Sequence, residues 1–184
     1  MSEAHVHVDP SNKKVALFIA VLALVLAFAE TLGKAAQTNG LASHIEASNL
    51  WSFFQAKTIR QTTVRTAAEE MEAQFGQKAP DGVKKQVESW KKTAERYQSE
   101  PETNEGRKEL MARAKEMEKK RDRSMAAYHN YEIASAAVQI AIVLASAQII
   151  TGVAALLWIA YALGAVGVVF SLIGFFWPAA VHLF

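Results

Sequence analysis

The chain contains no cysteine. Disulfide frameworks and thiolate metal sites are thereby excluded, while the compartment stays open. Proline and glycine are scarce, four and nine in 184 residues, so few points can break a helix. Charge is missing from one whole end: residues 133–184 hold no Lys, Arg, Asp or Glu. A globular domain in water scatters its charges, so this end calls for a different solvent. Catalytic fingerprints are missing too. There is no P-loop, no G-x-S-x-G, no H-E-x-x-H and no dinucleotide motif. The expectation is a protein that is not an enzyme, with no catalytic residues and no cofactor.

What is present is unevenly distributed. Hydrophobic residues make up 51% of the chain, an ordinary share. Outside residues 34–132 the only charges are Glu3, Asp9, Lys13, Lys14 and Glu30. The middle carries 18 Lys and Arg against 15 Asp and Glu, with the signs interspersed. That reads as a solvated helical surface and not as a basic groove, so no nucleic-acid partner is expected.

Three segments reach the ~20 apolar residues that a helix needs to cross a bilayer. They are residues 15–33, 133–152 and 153–177. The last closes on Phe175, Phe176, Trp177 and Pro178, an aromatic anchor followed by a breaker. The first resembles a signal peptide in its Lys13–Lys14 flank and its "AFA" before Glu30. An uncleaved anchor is the favoured reading. Near the span ends the middle segment offers Lys34, Arg113, Lys115, Lys119, Lys120, Arg121 and Arg123, against Lys13 and Lys14 on the tail. By the positive-inside rule the middle is then cytoplasmic.

The middle has helical periodicity and no strand alternation. Val83, Val87, Trp90, Ala94 and Tyr97 form a heptad seam; Val64, Ala68, Met71 and Phe75 form another. Leu110, Ala114 and Met117 begin a third, which Tyr128, Tyr131, Ser135, Val138, Ile142, Ala145 and Ile149 continue in phase. The 45 residues between Gly106 and Gly152 contain no Gly or Pro. They are expected to form one helix, about 68 Å at ~1.5 Å per residue, running unbroken into the second span. Breaks are expected at residues 78–82 and 99–106. The helix over residues 82–98 is expected to run opposite to the one after it. The helix over residues 41–77 is expected either to continue across a kink at Pro80 or to lie partly along the membrane.

The stretch SNLWSFFQAKTIRQT, residues 48–62, places Trp51, Phe53 and Phe54 just before Lys57 and Arg60. One reading is a belt at the headgroups. The favoured reading is packing, with Trp51 and Phe54 against Tyr128 and Tyr131 at the base of a helical hairpin. Taken with YEIASAAVQIAIVLASAQIITG, residues 131–152, this stretch resembles a bacterial membrane protein family catalogued as domain of unknown function 4337. Its most specific part is the aromatic-Gln-Ala-Lys run from Phe53 to Lys57. The resemblance implies the same order of parts: an N-terminal span, a charged helical middle and two closing spans. It implies no activity.

The fold expected is an all-α integral membrane protein. Residues 1–14 are a tail, and residues 34–132 a coiled-coil-like soluble insertion between spans one and two. The second span is continuous with the helix before it, and residues 178–184 are a C-terminal tail. Three polar residues lie in the spans: Glu30, Gln139 and Gln148. A carboxylate there is costly unless it reaches water or a partner. The glutamines serve as interhelical glue more readily than as a substrate path. His5, His7 and Asp9 are too few and too local for a metal site, so none is expected. Small residues recur at Ala16, Ala20, Ala23 and Ala27; at Ala137, Ala141 and Ala145; and at Ala160, Gly164, Gly167 and Ser171. That is more close-packing surface than three spans need internally. The expected protein is therefore a homo-oligomeric scaffold or adaptor in the bacterial inner membrane, whose partners are the lipid bilayer, its own copies and a protein held at the soluble helices. The alternatives are a small channel or transporter subunit, and a cleaved coiled coil anchored by the last two spans.

Overall fold

The structure, a computed structural model, describes residues 10–180. Four α-helices account for most of them: α1 (Pro10–Phe75), α2 (Asp81–Gln98), α3 (Arg107–Thr151) and α4 (Ala154–Phe176). No strand occurs among the described residues. Glycine supplies two of the breaks. Gly76 ends α1 at φ +51° and Gly152 ends α3 at φ +69°, a left-handed conformation open to glycine at little cost.

The absence of breakers between Gly106 and Gly152 does give a single 45-residue helix. The first span differs from expectation. Residues 15–33 and 41–75 are not separate helices but parts of one 66-residue helix. Polar residues 34–40 suggest a junction, yet none of them disfavours helix strongly enough to interrupt hydrogen bonding on both sides.

Two compact units divide the chain, with boundaries inside α1 and α3. The first consists of residues 10–40 and 122–180. In it α1 and α3 run antiparallel, with α4 returning alongside. One core joins Val15, Leu22, Val138, Ala141, Ala145 and Ala160; a second joins Ala29, Tyr131 and Ala134, with Phe170 against it. Small residues set the spacing. A Cβ on Gly33 would lie 3.2 Å from Tyr131 Cβ, and one on Gly164 3.0 Å from Leu22 Cδ2. At Gly167 a Cβ would collide with Val138 and reach 3.1 Å from the Ala134 carbonyl oxygen. Most hydroxyls in the apolar segments bond to their own helix: Thr31 donates to the Ala27 carbonyl at 2.7 Å, Ser146 to Ile142 at 2.8 Å and Ser171 to Gly167 at 2.9 Å. A hydroxyl satisfied this way needs no water.

The second unit is Leu41–Arg121. Here α2 and then the start of α3 pack in tandem on α1, both antiparallel to it. Lys91 pairs with Glu72 at 2.6 Å, and Gln61 donates to the Ala94 carbonyl at 2.9 Å. The expectation that α2 opposes α3 is therefore corrected, as is a continuation of α1 across Pro80. The chain reverses at residues 76–80, and residues 99–106 hand α2 on to α3 in the same direction. A connection of that length serves an in-line break as well as a hairpin. The α2 seam agrees with its spacing: Val87 and Ala94 are buried, and Val83, Trp90 and Tyr97 half-buried. On α1, Val64, Ala68 and Met71 face inward, while Phe75 is 38% exposed.

Glycine substitutions test this packing. Gly167→Val is expected to lose about 1–3 kcal/mol through overpacking between α3 and α4. A Cβ on Gly82 would meet no atom within 4 Å, so Gly82→Ala is expected to gain about 0.4–1 kcal/mol. Thermal unfolding in detergent, followed by circular dichroism, reads both.

Candidate functional site

The seam of α1 continues with heptad spacing through Ala47, Leu50, Phe54, Lys57, Gln61, Val64 and Ala68, all buried or half-buried. Leu50 meets Leu110 and Ala114, with Trp51, Phe54 and Met117 packed around them. Trp51 and Phe54 stand edge to face at 5.4 Å, and the Trp51 indole donates to Glu118 at 2.9 Å. The partners of Trp51 and Phe54 are therefore residues 110–118, and not Tyr128 and Tyr131 as expected. Tyr131 belongs to the first unit, buried against Ala29 and Ala134. Both sets lie on the same α3 seam, and periodicity alone cannot choose between them.

Where α2 gives way to α3, the second unit carries a polar cluster. The Lys57 side chain is only 8% exposed and lies 3.5 Å from Glu100 and 3.8 Å from Glu105. Its ammonium sits over two rings, Phe53 at 5.7 Å and Tyr97 at 5.3 Å. Arg107 donates to Thr58 at 2.9 Å, to Gln98 at 3.0 Å and to Gln61. Its guanidinium lies 5.0 Å from the centre of the Phe54 ring. Gln61 in turn donates to Gln98 at 3.1 Å. Charges withdrawn from water need such partners. Thus the Phe53–Lys57 run forms the lid and cation of a joint that binds α1, α2 and α3 together. Sequence reasoning missed Gln61, Gln98 and Arg107. A Lys and a Gln on a heptad seam look like interruptions until their partners are known.

Glu109 locks the same connection. Its carboxylate accepts from the Ser99 hydroxyl at 2.6 Å and from the Glu100 N–H at 3.2 Å. The Ser99 hydrogen bond, the largest effect, holds its pKa below the ordinary value against the opposing effect of burial, with lesser help from backbone N–H groups and the nearby Lys108.

In the first unit the Gln139 amide donates to the Glu30 carboxylate at 3.1 Å. Both residues are exposed and line a groove with Lys34, Gln37, Tyr128 and Glu132. Glu30 and Lys34 form no ion pair with each other or with any described residue. Gln148 is half-buried on α3, and its Oε1 has no hydrogen-bond partner among the described residues. His44 is exposed, and His129 lies 3.6 Å from Glu132. His5, His7, Asp9 and His182 lie outside the described residues.

The arrangement is that of an all-helical protein with three helices long and apolar enough to cross a membrane. The chain belongs to the family described as Domain of unknown function (DUF4337), whose profile matches residues 11–177. No curated protein and no solved structure matches it.

Two outcomes check the joint. Lys57→Met keeps the apolar stem but removes the ammonium, and is expected to lose about 1–3 kcal/mol by leaving Glu100 and Glu105 without their shared cation. Urea unfolding of the full chain in detergent measures it. Because the folded pKa of Glu109 is lowered, its contribution is complete above the ordinary carboxylate pKa and is lost as pH falls through the folded value. Glu109→Gln is expected to flatten the acid limb of the unfolding midpoint between about pH 5 and 3.

Proposed function

We propose that this chain is a non-enzymatic, multi-pass protein of the bacterial inner membrane that acts as an oligomeric scaffold or adaptor. Its second unit stands in the cytoplasm and presents helical surface to a protein partner. The observation that carries this reading is the continuity of α1 and α3. Each is one helix that begins or ends in an apolar, membrane-length segment and continues into the charged second unit. A display device needs that coupling of anchor to surface. The surplus of Lys and Arg beside the second-unit ends of the spans supports the orientation. The display surface has apolar points of its own: Leu41, Ile45 and Ile59 are exposed on α1, opposite its seam.

A second reading, a small channel or transporter subunit, draws on the exposed Glu30–Gln139 pair. Carboxamide and carboxylate groups in a span are what an oligomeric pore would turn toward its axis.

Native mass spectrometry of the detergent-extracted chain is expected to give a defined homo-oligomer. A monomer at every protein concentration would remove the self-assembling scaffold. Ion flux above lipid background in liposomes would favour the channel over the scaffold.

A further inference from the structure

A groove of ≈ 280 Å³ lies in the first unit between α1, α3 and the end of α4, beside Phe175 and Pro178. Its two ends differ in chemistry. Gly33 of α1 stands against Tyr131, and Gly40 stands against Met125 and Ser124. These two levels are seven residues apart on α1, or about 10 Å at ~1.5 Å per residue. Leu32, Ala35 and Ala36 line the Tyr131 end. Asn39, Arg123 and Ser124 line the other. Beyond the apolar end the same face of α1 stays apolar. Val21, Leu24, Phe28 and Leu32 recur at spacings of three and four, and all are exposed.

The donors at the polar end are unused. Arg123 is exposed and has no ion pair among the described residues. The Ser124 hydroxyl makes no hydrogen bond among the described residues, whereas those of Thr31, Ser146 and Ser171 bond to their own helices. No carboxylate lines this groove, while Glu30 and Glu132 line the groove that holds Lys34. We infer that the Arg123 groove seats one anionic phospholipid, with its phosphate on the Arg123 guanidinium and the Ser124 hydroxyl and an acyl chain along Leu32, Phe28 and Leu24. A guanidinium offers phosphate two parallel N–H donors. The exposed aromatic residues Phe175, Phe176 and Trp177 mark the headgroup level. Phe175 itself lines the groove, so Arg123 stands where lipid phosphates lie. Basic pockets between spans select anionic headgroups, and this one has no carboxylate to receive an ammonium headgroup. A soluble phosphate would leave the apolar end uncovered. This inference rests on the membrane reading above and is independent of the oligomer.

The test places the full chain in vesicles of equal phosphatidylglycerol and phosphatidylcholine. The chain is then extracted in mild detergent and weighed by native mass spectrometry. One retained phosphatidylglycerol per chain is expected, in preference to phosphatidylcholine. Arg123→Gln is expected to lower that adduct about tenfold or more. Ala35→Trp fills the groove from an exposed position and is expected to lower it as well. Lys34→Gln is expected to leave it unchanged. Thermal unfolding in lipid-free detergent is expected to be the same for all three variants, which separates a lost site from a lost fold. Equal retention of the two lipids would overturn the inference, as would a loss with Lys34→Gln as large as with Arg123→Gln. An adduct that survives both Arg123→Gln and Ala35→Trp would place the lipid elsewhere and overturn it too. Displacement by inorganic phosphate at the same concentration would overturn the lipid in favour of a soluble anion. A chain found in the vesicles but carrying no lipid would overturn this inference alone. A chain that stays out of the vesicles would overturn the membrane reading with it.

Discussion

The heptad seam on α1 is the constraint on which the remaining packing depends. Each unit uses part of it, and side-chain size along it decides what can lie opposite. Gly33, Ala36 and Gly40 present almost no side chain, so the opposing helix comes close enough for a Cβ on Gly40 to lie 2.9 Å from the Met125 sulfur. Close approach of this kind lets helices gain contact without large side chains. Further along, Leu50 and Phe54 replace the small residues and enclose Leu110 and Ala114, which are fully buried. Here water surrounds the helices, and burial of apolar area becomes the driving term. One helix thus carries two packing regimes, one of small residues and one of large apolar side chains.

Between the aliphatic parts of the seam stand Lys57 and Gln61. Burying them costs desolvation that hydrophobic side chains would not. The cost is offset by geometry. Lys57 meets two carboxylates and two rings, and Gln61 bonds to a backbone carbonyl, a glutamine and an arginine. Polar groups of this kind can be satisfied in one register only, because a shift of one turn separates every donor from its acceptor. Aliphatic contacts tolerate such a slip far better. The polar joint therefore fixes where α2 ends and α3 begins along α1, a position that the alanine-rich and leucine-rich parts of the seam leave loosely determined.

This division explains what is legible in the sequence. The apolar segments, the uninterrupted α3 and the seam of α2 are written in residue type and spacing. The unity of α1 is not, because Lys34, Gln37 and Asn39 look like an exit from the membrane whether or not the helix continues. Nor is the direction of α2, which depends on tertiary hydrogen bonds that Gln61 donates to Ala94 and Gln98 and that Glu72 accepts from Lys91. Trp51, Phe53, Phe54 and Lys57 stand out through the crowding of unusual side chains. Their partners are beyond reach, since Tyr128 and residues 110–118 share one heptad phase on α3. Arg107, Gln98 and Gln61 carry no signal of their own: each is an ordinary solvated residue until the fold withdraws it from water.

The same reasoning separates the two kinds of polar group in this chain. In the second unit, charge is withdrawn from water only where the unit itself supplies the partners, as at Lys57. In the first unit, Glu30 and Lys34 lie one turn apart on the exposed face of α1 without an ion pair, and the Gln139 amide donates to the carboxylate. Hydroxyls in the same segments turn inward to their own backbone, as at Thr31, Ser146 and Ser171, so the unit does satisfy polar groups where it can.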